Sequence, residues 1–97
     1  MNKEEILQII AAHMDEIRLR FKVKHLSVFG SVARDEATAD SDIDILVEYT
    51  EVPGIFRFLQ LKDYLEEITG VPVDLVTEKG LKHQLRASIM AEVIRVA

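Results

Sequence analysis

The segment Asp42-Ile43-Asp44-Ile45-Leu46-Val47-Glu48-Tyr49 constrains this chain more than any other. Its β-branched content and near-alternation predict a strand. The period of two sets Asp42 and Asp44 on one face, with Ile43, Ile45 and Val47 on the other. Such a strand needs a core against its apolar face and an accessible carboxylate face. Two carboxylates held this close repel each other unless a cation lies between them, so the spacing makes a chelate. Oxygen-only ligands favour Mg²⁺ or Mn²⁺, ions usually shared with substrate phosphates.

The flanking segments supply the rest of a sheet and its cover. Ile6, Ile9, Ile10, Met14 and Ile17 recur at helical spacing behind an Asn2 and Glu5 capping box, predicting one amphipathic helix that ends near Arg20. A short strand follows over His25 to Phe29, stopped by Gly30, and Ser31 to Arg34 reads as a helical turn. Residues 37–41 are small and polar, a loop. Pro53-Gly54 opens a helix carrying Ile55, Phe58, Leu59, Leu61, Leu65 and Ile68, and Gly70 closes it as a C-terminal cap. Val71 to Thr77 is then a third strand. Leu81, Leu85 and Ile89, four apart, indicate a last helix, with Val93 to Val96 as a short terminal strand. Helices alternating with strands predict an α+β fold: a small mixed sheet with helices packed against it, one domain over residues 1–97 without repeat or linker.

Composition narrows the function classes. At 97 residues, 48% hydrophobic and 30% charged, the chain is expected to bury its own core but has no room for a second lobe. Neither a membrane-spanning helix nor a signal peptide is expected, and the cytoplasm is the default compartment. The absence of cysteine excludes disulfides and thiolate metal sites. A net charge of -5 argues against broad, sequence-independent binding to nucleic acid. Arg18, Arg20, Lys22 and Lys24 suit a helix C-terminus, where cations complement the macrodipole; a second basic group comprises Lys79, Lys82, His83 and Arg86.

Two further features join the acidic pair. Asp74 interrupts the third strand between Val73 and Leu75, where an apolar residue is expected. Beside the first acidic strand it would add a third carboxylate, enough for two ions in phosphoryl chemistry or for a general base. Gly30-Ser31 stands where a strand gives way to a helical turn, so backbone N–H groups can meet a phosphate, with the Ser31 hydroxyl and the Arg34 charge adding to them. Alone, a Gly-Ser pair is an ordinary turn. The spacing of Asp40, Asp42, Asp44 and Glu51 imitates an EF-hand, but Ile45 stands where that loop needs Gly. A Walker loop is excluded because Gly-Lys-Ser/Thr does not follow Gly30 at the required distance. His13, His25 and His83 lack metal-ligand spacing, and Tyr49 and Tyr64 read as packing residues.

The run Gly30-Ser31-Val32-Ala33-Arg34, then Ser41-Asp42-Ile43-Asp44, resembles the signature of the polymerase-beta nucleotidyltransferase superfamily. Within it the chain resembles the minimal nucleotidyltransferases, or MNT proteins, of prokaryotes. These are similar in length and end soon after a segment like Val73 to Val76, so the likeness covers nearly the whole chain. The resemblance implies a metal-dependent transferase with ATP as nucleotide donor and Mg²⁺, or Mn²⁺, as cofactor. It implies that Gly30, Ser31, Arg34 and Ser41 hold the nucleotide and that Asp42, Asp44 and Asp74 are the catalytic, metal-binding triad. It also implies a partner, because many such proteins are antitoxins paired with an all-helical HEPN ribonuclease toxin, and some transfer AMP onto a tyrosine of that toxin. One position departs from the pattern: Asp35 stands where many members have Gly after the Arg, either opposing incoming phosphates or facing solvent. Two rival readings remain, an antitoxin that acts by binding alone and a nucleotidyltransferase of small molecules.

Overall fold

In the computed structural model, which describes residues 2–38, 40–81 and 83–96 and the backbone alone of His83, four strands form one mixed sheet. The strands are β1 (Val23–Phe29), β2 (Ile43–Tyr49), β3 (Val73–Thr77) and β4 (Ile94–Arg95), in the order β3-β2-β1-β4. β1 runs antiparallel to both β2 and β4, whereas β2 and β3 are parallel. A parallel pair needs a long crossover, and α4 (Ile55–Thr69) supplies it. The predicted class, a small mixed sheet with helices packed against it, is the observed one.

The core lies between one sheet face and three helices. Ile43, Ile45 and Val47 of β2, Leu26 and Val28 of β1, and Val73 and Leu75 of β3 are all buried. They pack with Leu61 and Leu65 of α4 and with the buried stripe of α1 (Lys3–Ala12) and α2 (Met14–Phe21). Each large apolar side chain taken fully from water contributes roughly 1.5–3 kcal/mol, which makes this face the principal source of stability. Asn2 caps α1 as expected, its Oδ1 accepting the Glu5 N–H at 2.9 Å. Gly70 closes α4 in the left-handed region at φ 71°.

Several boundaries differ from the sequence reading. The first helix is two, broken at His13, whose backbone N–H turns to Ile10 at 3.0 Å and whose Nδ1 lies 2.7 Å from the Ile9 carbonyl oxygen. Ile6, Ile10, Met14, Ile17 and Phe21 remain buried across the break, so the apolar period carries no trace of it. β1 starts at Val23 because Lys22, in the left-handed region at φ 58°, reverses the chain directly after α2. β3 starts at Val73, where its N–H donates to Glu66 of α4 at 2.8 Å. The first turn of α4 is open to solvent: Ile55 is 64% exposed and Phe56 77%. α5 (His83–Glu92) forms as expected but buries none of its described side chains, and Leu85 is half exposed. The terminal strand exists as β4, with Val96 N–H donating to the Leu26 carbonyl at 2.8 Å. No helix among the described residues is long and apolar enough to cross a membrane. In the second basic group, Lys82 and the His83 side chain lie outside the described residues.

Candidate active site

Topology brings three strand ends together. Because β2 and β3 are parallel and β1 opposes β2, the start of β2, the start of β3 and the end of β1 share one end of the sheet. Register makes the meeting exact to the residue: Asp44 lies between Phe29 of β1 and Asp74 of β3. Ile43, Ile45, Val73 and Leu75 turn into the core, so the alternation directs Asp44 and Asp74 to the opposite face.

Gly30 completes this corner. It follows β1 directly and takes φ +71°, a conformation that L-residues with a Cβ rarely adopt. A Cβ built at Gly30 would run into Oδ2 of Asp44. The carboxylate therefore occupies the space that only glycine leaves.

The electrostatics of Asp44 follow from its place. Partial burial raises its carboxyl pKa to about 6, reinforced by repulsion from Asp74 and then Asp42 and by a hydrogen bond with Asp74; the Arg34 charge opposes these effects. Asp42 lies one residue before β2 and is exposed, so it stands outside the strand predicted to begin with it. Asp74 is exposed within β3. Among the described residues, no three acidic, histidine or cysteine side chains are gathered into a group that could hold a metal ion. What is assembled is the Asp44 and Asp74 pair, with Asp42 close enough to raise the charge cost at Asp44. Paired oxygen donors under mutual repulsion fit a hard divalent cation.

The other named residues divide into two groups. Ser31 is half-buried in α3 (Gly30–Ala33), next to Gly30, and Arg34 follows at its C-cap. Ser41 stands apart in role: its hydroxyl accepts the Thr38 N–H at 2.9 Å and closes the loop before β2. Asp35 takes φ 60°, in the left-handed region that glycine adopts at no steric cost and that Asp tolerates better than most residues. Its side chain is exposed and lines a crevice with Asn2, Lys3 and Glu4, at the start of the chain.

Sequence reasoning missed Glu92, the last residue of α5. Its Oε1 accepts the Gly30 N–H at 3.0 Å and its Oε2 accepts from Nη1 of Arg34, also at 3.0 Å. These bonds, that to Arg34 foremost, hold the Glu92 carboxyl below the usual carboxylate range. A cavity of about 600 Å³ opens at the far ends of β2 and β3, beside Tyr49, Val52 and Lys79. It has no part in the carboxylate corner.

A profile described as nucleotidyltransferase domain matches residues 10–96. The chain is similar to the protein adenylyltransferase MntA of Thermococcus cleftensis, at 45% identity over 93 residues covering 96% of this chain and 94% of that protein. It is also similar to the solved structure of a candidate minimal nucleotidyltransferase, at 38% identity and a TM-score of 0.82, covering 97% of this chain and 95% of the other. A complex of a tri-AMPylated Shewanella oneidensis HEPN toxin with an MNT antitoxin contains a chain of the same fold. There the TM-score is 0.67 at 18% identity, over 94% of this chain and 71% of that one. Sequence likeness along nearly the whole length and a shared fold thus agree: the chain belongs to the nucleotidyltransferase-domain family, among its minimal nucleotidyltransferases.

Proposed function

We propose that this protein transfers AMP from ATP to a tyrosine hydroxyl of a HEPN ribonuclease toxin and so acts as its antitoxin. The observation that carries this reading is the pairing of Asp44 with Asp74 at the sheet end where Gly30 follows β1, with Asp44 seated in the space that Gly30 leaves empty. A carboxylate pair raised in charge cost suits a site completed by Mg²⁺ and a triphosphate. Asp44, Asp74 and Asp42 would hold the ion, which would supply charge neutralisation for the triphosphate and a lowered pKa for the attacking hydroxyl.

The chain's own groups have distinct tasks in this reading. The Gly30 N–H, the Ser31 hydroxyl and Arg34 hold phosphate oxygens, and Ser41 borders the nucleotide. The acceptor oxygen bonds to the α-phosphorus while the bond from that phosphorus to the pyrophosphate oxygen breaks. The acceptor proton passes to Asp74, the exposed member of the pair, and pyrophosphate leaves. The name of the Thermococcus cleftensis relative and the AMP carried by the HEPN toxin in the fold-related complex both support this choice of nucleotide and partner.

The test mixes the purified protein with the product of its neighbouring gene, ATP and Mg²⁺, and reads intact masses. One or more AMP additions on the neighbour, mapped to tyrosine by fragmentation, are expected. A neighbour that is inhibited with no gain in mass would favour neutralisation by binding alone.

A further inference from the structure

Glu92 holds the same two groups that the proposed function assigns to phosphate. Its two carboxylate oxygens accept, one each and both at 3.0 Å, from the Gly30 N–H and the Arg34 guanidinium. This is how an anion with two oxygens sits on a backbone donor and an arginine, and charge-assisted bonds of this kind are the stronger class. A backbone N–H has one hydrogen, so a phosphate oxygen cannot take the Gly30 N–H while Glu92 keeps it. A second anion drawn to Arg34 would meet the charge of Glu92 and that of Glu36, whose Oε2 accepts from Nε of Arg34 at 3.2 Å, in addition to those of Asp44, Asp74 and Asp42.

Glu92 is also built to leave. It ends α5, none of whose described side chains is buried, and Arg34 is itself exposed. After Val93, β4 is anchored to the sheet through Ser27 and Val28. The carboxylate can therefore swing away by side-chain rotation or by a shift of α5, while β4 keeps the segment in place.

We infer that Glu92 is an internal competitor for the nucleotide's phosphates, occupying the Gly30 and Arg34 donors until a triphosphate displaces it. This rests on the reading that those donors bind phosphate. It adds that nucleotide affinity is set below what the donors alone would give, and that binding releases the C-terminal helix from the site.

The experiment titrates ATP and inorganic tripolyphosphate, each with Mg²⁺, into the parent, Glu92→Gln and Glu92→Ala, and follows the Glu92 side-chain carboxyl carbon of the parent by NMR. Affinity for both ligands should rise about tenfold in the variants, the effect of removing one competing charge-assisted bond. The parent's Glu92 signal should move to the position of a solvated carboxylate as either ligand saturates. Unchanged or weaker binding in the near-isosteric Glu92→Gln, a stationary Glu92 signal at saturation, or no tripolyphosphate binding by any of the three proteins would overturn the inference. Tighter binding in the variants with no AMP transfer by any of them would uphold it and sink the transferase reading. Intact transfer with unchanged affinity in Glu92→Gln would do the reverse.

Discussion

At Asp44 the protein accepts an electrostatic cost inside its own fold. The carboxyl is partly desolvated and faces Asp74 and Asp42, which together raise its pKa to about 6 from its ordinary value of 3.8. A group whose folded pKa is raised favours the folded state in its protonated form. Its contribution to stability is therefore fully present below about 3.8 and is lost as pH rises through about 6. Asn at this position imitates the protonated carboxyl at every pH. In metal-free buffer Asp44→Asn should match the parent's stability near the acidic end of that window, gain on it as pH rises, and hold a constant advantage at neutrality. Glu66 and Glu92, whose lowered pKa values act in the opposite sense, are common to both proteins and cancel in the difference. Urea unfolding of the two proteins across this range measures the gap; a gap independent of pH would contradict the assignment. Asp42, Asp44, Asp74 and Gly30 were legible because their signals are local: a spacing of two, an acid inside an apolar strand, and a glycine at a strand end. Glu92 was not, since its partner Gly30 is 62 residues away and one acid at a helix end has no period to betray it.

Elements differ in how much of the molecule rests on them. α4 is the crossover that makes β2 and β3 parallel, and its Leu61 and Leu65 are fully buried against the sheet. α5 carries the apolar spacing from which the sequence indicated a helix, yet Leu85 is 49% exposed. Periodicity reports that a helix has an apolar side; it cannot report whether another layer exists to cover it. The contrast is measurable. Leu61→Ala should cost about 2–5 kcal/mol in urea unfolding, whereas Leu85→Ala should stay within about 0.5 kcal/mol of the parent. Equal costs would mean that α5 is as much a part of the core as α4. The two elements that sequence placed less well have physical reasons. His13 breaks the first helix where the buried stripe continues without interruption, and Lys22 takes a left-handed turn with no glycine or asparagine to announce it.

On the scale of the whole molecule, the fold separates stability from chemistry by the two faces of one sheet. One face, under α1, α2 and α4, holds the apolar core; the other presents Asp44 and Asp74 at the end of the sheet where Gly30 ends β1. The carboxylates of the site are then replaceable by amides without loss of the fold, and the central claim can be tested by removing charge alone. Asn in place of Asp42 and Asp44 keeps size and shape and leaves Ile43, Ile45 and Val47 in the core. Phosphoryl transfer depends on positioning and charge stabilisation by these groups, so the loss should be nearly complete. The most direct measurement is AMP transfer to the neighbouring gene product by the Asp42→Asn, Asp44→Asn protein, read by intact mass beside thermal unfolding of the same sample. The account predicts a variant that is folded, binds its partner and adds no AMP; a folded variant that transfers AMP at the parent's rate would contradict it.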